Sequence, residues 1–232
     1  NIFKLVFCLT LLITLKLWAN QEVGLPFIKN FSPREYGGHT QNWAIVQDEQ
    51  GVMYFGNGKG VLEYDGTSWR LIQLPNKSAV RSLAVSEDGR LFVGAKNEFG
   101  YLEPDSIGFL QYKSLVPLLT KEQTNFNDVW ETSINNDIVY FRTSGAVFRY
   151  NESSSSIHVW ETDARFQMSG VVDGEFYVRE GGTGLLRENN NSLELVSGGE
   201  FFDDISIYSL LNLGDDKIFI GSSTKGLFVY DG

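Results

Sequence analysis

A short motif recurs five times along the chain, and it constrains the fold more than any other feature. Each copy is an apolar hexapeptide with an aromatic residue at its fourth position, followed by a glycine-containing turn and a second apolar stretch. Successive copies are spaced by 38, 48, 37 and 42 residues. Repeats of this length are typical of folds that stack one supersecondary unit on the next. The copies begin at Gly51, Gly89, Asp137, Gly174 and Asp216, and their aromatic residues are Tyr54, Phe92, Tyr140, Tyr177 and Phe219.

The first repeat contains four strand-like segments joined by turns. Residues 43–47 are an apolar run that suits a buried inner strand, and residues 52–55 and 61–64 suit the next two strands. The glycines at 56–60 accept the positive φ that a tight hairpin requires. Residues 69–74 alternate between apolar and polar, as expected for a half-exposed outer strand.

Units of four strands and about 40 residues are typical of propeller blades. The sequence therefore predicts an all-β fold, a β-propeller of four-stranded blades. About five blades are expected, as an incomplete part of a larger ring, because the chain ends directly after a third strand. The predicted blades are 40–76, 77–125, 126–164, 165–200 and the incomplete 201–232, within a propeller domain of residues 20–232.

The first 19 residues differ in character from the rest. Lys4 precedes an apolar run over residues 5–15, and Ala19 offers a small residue for cleavage. This run is shorter than the roughly 20 apolar residues that a membrane span needs, so a signal peptide is predicted over residues 1–19. An uncleaved anchor is the alternative. Cys8, the only cysteine, lies in this segment, so the mature chain has no thiol with which to form a disulfide or bind a metal.

The charge balance argues against nucleic-acid binding by this segment. Lys4 and Lys16 are two of the 19 basic residues, which leaves 17 basic against 29 acidic residues after the leader, a net charge of −12. Such a surface repels phosphate backbones. The same acidity also suits a protein that is simply soluble after export.

Motifs for chemistry are weak. The glycine-rich segment 56–60 lacks the Ser or Thr and the helix that follow the lysine of a phosphate loop, since Val61 begins a strand. His39 and His158 lie in different repeats without partners at metal-ligand spacing. Paired carboxylates fall mostly in turns, although Asp203 and Asp204 precede an inner strand. The sequence therefore predicts no catalytic residue, no cofactor and no metal site.

The repeat resembles the two-component regulator propeller repeat. Residues 89–94 and 216–231 match its pattern best, with Phe where the family usually has Trp, and residues 25–31 resemble its lead-in. The likeness covers residues 25–232. Repeats three and four depart from it, because Arg142 and Arg179 stand where the family has glycine.

This resemblance implies a non-catalytic periplasmic sensor of the type found in Bacteroidetes, many of which sense glycans. In such proteins the propellers precede a triple-tyrosine domain and a membrane span, followed by a histidine kinase or a DNA-binding output domain. It therefore implies an oligosaccharide ligand, contacts with downstream propeller and triple-tyrosine domains of the same chain, and anchoring of the full-length protein in the inner membrane, where it could form a homodimer.

Two other functions fit the same repeat. An extracellular polysaccharide lyase or hydrolase would need a set of acids and bases converging on one face, which the sequence does not show. A pure protein-interaction propeller is also compatible, because fold does not determine function.

The main candidates for ligand binding are the two arginines that depart from the repeat pattern. Arg142 and Arg179 both replace the strand-ending glycine, and as a pair of cations on one face they would engage an anionic sugar. The alternative is an ion pair of each with a neighbouring-blade carboxylate such as Glu131 or Glu180. Tryptophans 43, 69, 130 and 160 either stack on sugar rings or pack between blades. The predicted ligand-binding set is Arg142, Arg179, Trp43, Lys59, Lys96 and Lys225.

Overall fold

A computed structural model describes residues 28–214 and 217–232. The predicted signal peptide, the first part of the lead-in and Asp216 lie outside the described residues. The chain divides after Phe31, and every strand that the structure describes belongs to the second unit, residues 32–232. This second unit opens with a short helix, α1 (Pro33–Tyr36), which ends at Gly37 in the left-handed conformation.

The strands form five separate sheets, numbered here as blades 1 to 5. Blade 1 contains β1 (Asn42–Gln47), β2 (Met53–Asn57), β3 (Gly60–Tyr64) and β4 (Trp69–Ile72), and blade 2 contains β5 (Val80–Val85), β6 (Leu91–Ala95), β7 (Glu98–Pro104) and β8 (Leu110–Ser114). Blade 3 contains β9 (Glu131–Asn135), β10 (Ile138–Arg142), β11 (Ala146–Asn151) and β12 (Ser156–Glu161). Blade 4 contains β13 (Phe166–Val172), β14 (Glu175–Glu180), β15 (Gly184–Asn189) and β16 (Ser192–Leu195), and blade 5 contains β17 (Ile207–Gly214), β18 (Lys217–Ser222) and β19 (Leu227–Tyr230).

Each blade is an antiparallel meander whose strands pair in chain order. The first strands of successive blades contact one another, β1 with β5, β5 with β9, β9 with β13 and β13 with β17. The first strand is therefore the innermost strand of each blade, and the predicted all-β propeller fold is confirmed. In the described part of the chain, the connections between blades contain 3₁₀ turns at Val116–Leu118, Glu122–Thr124 and Gly199–Phe202.

The core lies between adjacent blades. Between blades 2 and 3, the ring of Phe99 lies 4.6 Å from Phe141 and 4.9 Å from Phe148. Between blades 3 and 4, the motif aromatic Tyr140 stacks on Phe176 with centroids 4.0 Å apart. Tyr140 is one of the recurring motif aromatics, and another of them, Phe92, lies 6.3 Å from Phe141 across the seam between blades 2 and 3. The motif thus places aromatic rings between blades.

The first and last blades expose apolar side chains on the surfaces that face away from the other blades. Ala44 and Val46 pack toward blade 2, so the intervening Ile45 points outward and is exposed. On blade 5, Phe228 packs inward, and its neighbours Leu227 and Val229 are exposed. The described strands thus leave an apolar surface at each end of the row of blades.

Candidate functional site

The upper face of the propeller is defined here as the side that carries the connections between blades and the hairpins between second and third strands. In an antiparallel meander, the start of the first strand and the end of the second strand lie on the same side. All six residues predicted to bind a ligand lie at this face. Arg142 and Arg179 lie at or next to the ends of second strands, Trp43 lies at the start of a first strand, and the three lysines lie in the hairpins.

Four of the five innermost strands carry a register shift at their upper ends. These irregularities fall between Asn42 and Ala44, Val80 and Ser82, Phe166 and Ser169, and Ile207 and Ser209. A bulge turns the side chain of its extra residue away from the regular faces of the sheet. The bulges thus place side chains outside the regular alternation of the strands around the upper mouth of the propeller axis. The residues at these bulges are Trp43, Arg81, Gln167 with Met168, and Tyr208.

Two tryptophans that contact each other edge to face both contact an arginine at this mouth. The Arg81 guanidinium lies 4.2 Å from the Trp43 ring centroid and 5.3 Å from that of Trp130, and the two rings are 6.3 Å apart. Arg81 Nε also donates a hydrogen bond to Asp128 Oδ1 at 2.8 Å. Trp43, Arg81, Asp128 and Trp130 are called the axial cluster below.

The axial cluster combines an apolar surface with polar groups. Trp43 is 46% exposed and Trp130 is 41% exposed, although both are large aromatic residues. Exposed aromatic faces stack on apolar faces of ligands such as the C–H faces of sugar rings, and cation–π contacts hold Arg81 against both rings. Asp128 supplies carboxylate oxygens that accept hydrogen bonds from hydroxyl groups.

Gly94 is the strand-ending glycine of blade 2, and its surroundings show how adjacent blades pack at this position of the repeat. A Cβ on Gly94 would lie 2.3 Å from Ser82 Oγ and 2.5 Å from Val129 Cγ1, so no side chain fits. Ser82 Oγ donates to Val129 O at 3.0 Å and shares a hydrogen bond with Thr132 Oγ1 at 2.8 Å. The seam between blades 2 and 3 is therefore closed and its polar groups are satisfied.

Arg142 occupies the corresponding position in the seam between blades 3 and 4. It lies on the same side of β10 as Tyr140, which stacks on blade 4. Its side chain is only 7% exposed, and Nη2 lies 3.4 Å from Glu131 Oε2, directly opposite on β9. Glu131 was predicted as a partner from a neighbouring blade, but the structure places it in the same blade, because the first two strands pair at this position.

This pair leaves hydrogen-bonding groups without partners. Arg142 Nε and Ser169 Oγ are buried without a hydrogen-bond partner among the described residues. Burial raises the pKa of Glu131, while Arg142 and the backbone N–H of Ser169 oppose that shift. Burial likewise lowers the pKa of Arg142, and Glu131 opposes it. Glu131, Arg142, Ser169 and the nearby Arg165 are called the seam site below.

Arg179 has a different environment. Its Nε donates to Phe202 O at 2.9 Å and its Nη2 to Asp203 O at 2.5 Å. The guanidinium thereby fixes the turn that leads into blade 5, and burial is the main reason why its pKa is lowered. Backbone carbonyls, rather than Glu180, are the partners that the structure gives to this arginine. Ligand binding by Arg179 stays a prediction.

Arg165 was not singled out from the sequence. It is exposed in the connection between blades 3 and 4, and its positive charge lowers the pKa of both Arg142 and Arg179. It therefore lies close to both guanidinium groups. The repeat gave no signal for Arg165, because connections between blades vary in length and sequence. Arg81 escaped notice for a related reason, since its special position depends on a bulge.

The three predicted lysines are exposed on the upper face. Lys59 Nζ donates to Gly37 O at 3.4 Å. Lys96 pairs through its backbone with Asp128, which places it beside the axial cluster. For the described residues, no ion pair or ring contact joins Lys59 or Lys225 to that cluster. Their role in ligand binding stays a prediction.

The lower face carries a cleft of about 600 Å³ between blades 2 and 3. Asp88, Asp137 and Glu152 line it, and Arg90 Nη1 forms an ion pair with Glu152 Oε2 at 2.9 Å. Within the described ranges, no group of three or more His, Cys, Asp or Glu side chains is placed to hold a metal ion. The residues that line this cleft include no aromatic ring, and its arginine is already paired.

Comparisons with known proteins support the fold and not a specific activity. No family model matches the chain. No curated protein matches its sequence. Among the described residues, none of the helices has the length and hydropathy needed to cross a bilayer.

Several solved structures resemble the chain. The extracellular domain of BT4673 from B. thetaiotaomicron, assigned as a hybrid two component system, is 18% identical with a TM-score of 0.58, over 82% of this chain and 26% of that one. The WD40 β-propeller domain of Doa1 is 14% identical with a TM-score of 0.62, over 84% and 66% of the two chains. A streptogramin B lyase is 15% identical with a TM-score of 0.59, over 87% and 71%. These likenesses show a β-propeller, and the chain spans about a quarter of the length of the BT4673 domain.

Proposed function

We propose that the chain is the non-catalytic recognition propeller of an exported sensor and that it binds an oligosaccharide at the axial cluster. The observation that carries the proposal is the pair of half-exposed tryptophans, both in contact with Arg81, at the upper mouth of the propeller. A sugar ring would stack on the tryptophan faces while its hydroxyl groups bond to Asp128 and to nearby backbone groups.

Two further observations support export and sensing. The apolar leader of residues 1–19 is of the secretory type, and the chain is similar to the extracellular domain of BT4673. Signalling would then pass to downstream propeller and triple-tyrosine domains and to a kinase or DNA-binding output. A sugar would change that output only through different affinities for two arrangements of the domains.

An enzyme acting on polysaccharide is the second candidate, because the likeness to a streptogramin B lyase means that enzymes also use this fold. The acidic residues of the upper face favour binding over catalysis, because both are already in ion pairs. Asp128 pairs with Arg81, and Glu131 pairs with Arg142. Release of shortened or unsaturated products from any oligosaccharide that binds would establish the enzyme and overturn the sensor.

A thermal-shift screen of neutral and acidic oligosaccharides tests the proposal. A ligand at a hundred times its dissociation constant stabilises the folded state by about 2.7 kcal/mol, which such a screen detects. Trp43→Ala and Trp130→Ala should each weaken a hit about tenfold, because each removes one stacking surface.

Phe109→Ala is the matched control for these variants. Phe109 is 56% exposed and lies 5.5 Å from the Arg70 guanidinium, so it too is an exposed aromatic beside an arginine, but it lies at the outer edge of blade 2. Its substitution should leave binding unchanged. Full binding by both tryptophan variants would remove the axial cluster from the proposal.

A further inference from the structure

We infer that the seam site binds an oxyanion, the carboxylate or sulfate group of an acidic sugar, next to the axial cluster. This inference rests on the proposed function and deepens it, because it names the chemical class of the ligand. It also assigns the two arginines of the repeat to different roles, with Arg142 in binding and Arg179 in the scaffold.

The first argument is the local charge. Arg165 lies within electrostatic reach of both Arg142 and Arg179, in a chain whose net charge is −10. Glu131 neutralises one of these cations, and Asp203 and Asp204 act on Arg179. Arg165 has no hydrogen bond or ion pair from its side chain within the described part of the chain. Within the seam site, Glu131 balances Arg142, so the charge of Arg165 is the one that no direct ion pair neutralises.

The second argument is the spare hydrogen-bonding capacity of Arg142. Its Nε has no partner although the side chain is 7% exposed, and its contact with Glu131 is long at 3.4 Å. A buried donor without a partner costs free energy, so it calls for a physical explanation. Guanidinium groups bind carboxylates and sulfates through two adjacent N–H groups, and the free Nε offers one of them. Arg179 lacks this freedom because two backbone carbonyls occupy it.

The third argument is the position of the neighbouring groups. Ser169 has a buried Oγ without a partner, and its backbone N–H acts on the carboxylate of Glu131. Its hydroxyl would donate to an oxyanion held by Arg142. Arg165 is exposed and would meet the anion at the surface.

The seam site continues directly into the axial cluster. Trp130 precedes Glu131 in the chain, and its backbone N–H donates to Arg142 O at 2.9 Å. One oligosaccharide would therefore place a ring against the tryptophans and its acidic neighbour over the seam.

Isothermal titration calorimetry of the chain with trisaccharides of galactose, sulfated galactose and galacturonic acid tests this inference. We expect one of the acidic ligands to bind roughly tenfold more tightly than the neutral one, and the preference to shrink in high salt. The better acidic ligand identifies the anion as carboxylate or sulfate. Arg165→Gln and Arg142→Lys should each remove most of the preference for the acidic ligand. The first removes a positive charge, and the second removes the paired N–H groups of the guanidinium.

Two control variants distinguish a specific role of Arg142 and Arg165 from a general effect of removing a positive charge. Arg179→Gln should keep the preference, and so should Arg187→Gln, which removes a half-exposed, paired arginine on the lower face. An undiminished preference in both Arg165→Gln and Arg142→Lys would overturn the seam site and leave sugar binding at the axial cluster intact. Equal affinities for the neutral and acidic ligands in the unaltered chain would also overturn it. If Trp43→Ala abolished all sugar binding while the arginine variants kept both binding and the preference for acidic ligands, the result would support the proposed function and overturn the seam site.

Discussion

The seams on the two sides of blade 3 occupy equivalent positions of the repeat but are filled in different ways. Between blades 2 and 3, Gly94 lets the next blade approach closely, and the hydroxyl of Ser82 satisfies its neighbours. Between blades 3 and 4, Arg142 replaces the glycine and Glu131 replaces the serine opposite it. Both seams keep the same pairing of first and second strands.

The difference shows where a propeller can vary its chemistry. Backbone pairing and the aromatic core hold each blade, so the upper end of a seam changes from hydroxyl groups to charges without a change of fold. The closed seam satisfies its polar groups internally, whereas the charged seam leaves Arg142 Nε and Ser169 Oγ without partners. A position that costs stability in this way is a reasonable place to look for function.

The largest effect is expected from adding a methyl group to the closed seam. Gly94→Ala should lower the free energy of unfolding by about 3 kcal/mol, because the new Cβ would overlap Ser82 Oγ and Val129 Cγ1. Urea denaturation measures this. Gly145→Ala is the control, since nothing lies within 4 Å of its Cβ position. Equal stabilities of the two variants would show that the seam is not tightly closed.

The next largest effect is expected from substitutions that give the charged seam the residues of the closed seam. Arg142→Gly should cost about 2 kcal/mol, because it leaves Glu131 without its counter-ion, and the 29% exposure of the Glu131 side chain moderates the cost. The double variant Arg142→Gly with Glu131→Ser copies the residues of the closed seam and should recover most of the loss. Additive losses in the double variant, measured by the same denaturation, would contradict a shared plan for the two seams.

A smaller contrast separates the serines of the two seams. Ser82→Ala should cost about 1 kcal/mol because it removes hydrogen bonds to Val129 O and Thr132. Ser169→Ala removes a hydroxyl without a partner, so its stability should stay within about 0.5 kcal/mol of the unaltered chain. Equal costs would indicate that Ser169 has a bonding role like that of Ser82.

The smallest predicted effect is on pH dependence. The pKa of Glu131 is raised by burial above its ordinary value of 4.5, so the folded state holds this proton more tightly than the unfolded state. The associated stability is present below pH 4.5 and is lost as the pH rises through the folded pKa. Glu131→Gln should remove this component from a series of melting temperatures, whereas Ser82→Ala should keep it. An unchanged profile in Glu131→Gln would contradict the raised pKa.

The sequence predicted the fold more fully than the site. The recurring aromatic residues and the glycine turns were sufficient for the all-β propeller, because burial such as the stacking of Tyr140 on Phe176 follows directly from strand periodicity. The arginines of repeats three and four were found as breaks in the pattern. Glu131 was named as a possible partner, although as a residue of a neighbouring blade. The backbone carbonyls that bind Arg179 were not predicted, because they depend on how adjacent elements pack.

The axial cluster illustrates the remaining limit. Trp43 was predicted to bind a ligand, but the contact of Arg81 with both Trp43 and Trp130 depends on first-strand register shifts. A shift of one residue reverses the face to which a side chain points, and periodicity alone does not reveal it.

A crystal structure of the chain with the tightest-binding oligosaccharide tests the central claim most directly. We predict density for a sugar ring against Trp43 and Trp130, with any acidic group of the ligand within hydrogen-bond distance of Arg142 or Arg165. Density for the ligand in the lower-face cleft beside Arg90 and Glu152, with the upper face empty, would contradict the account.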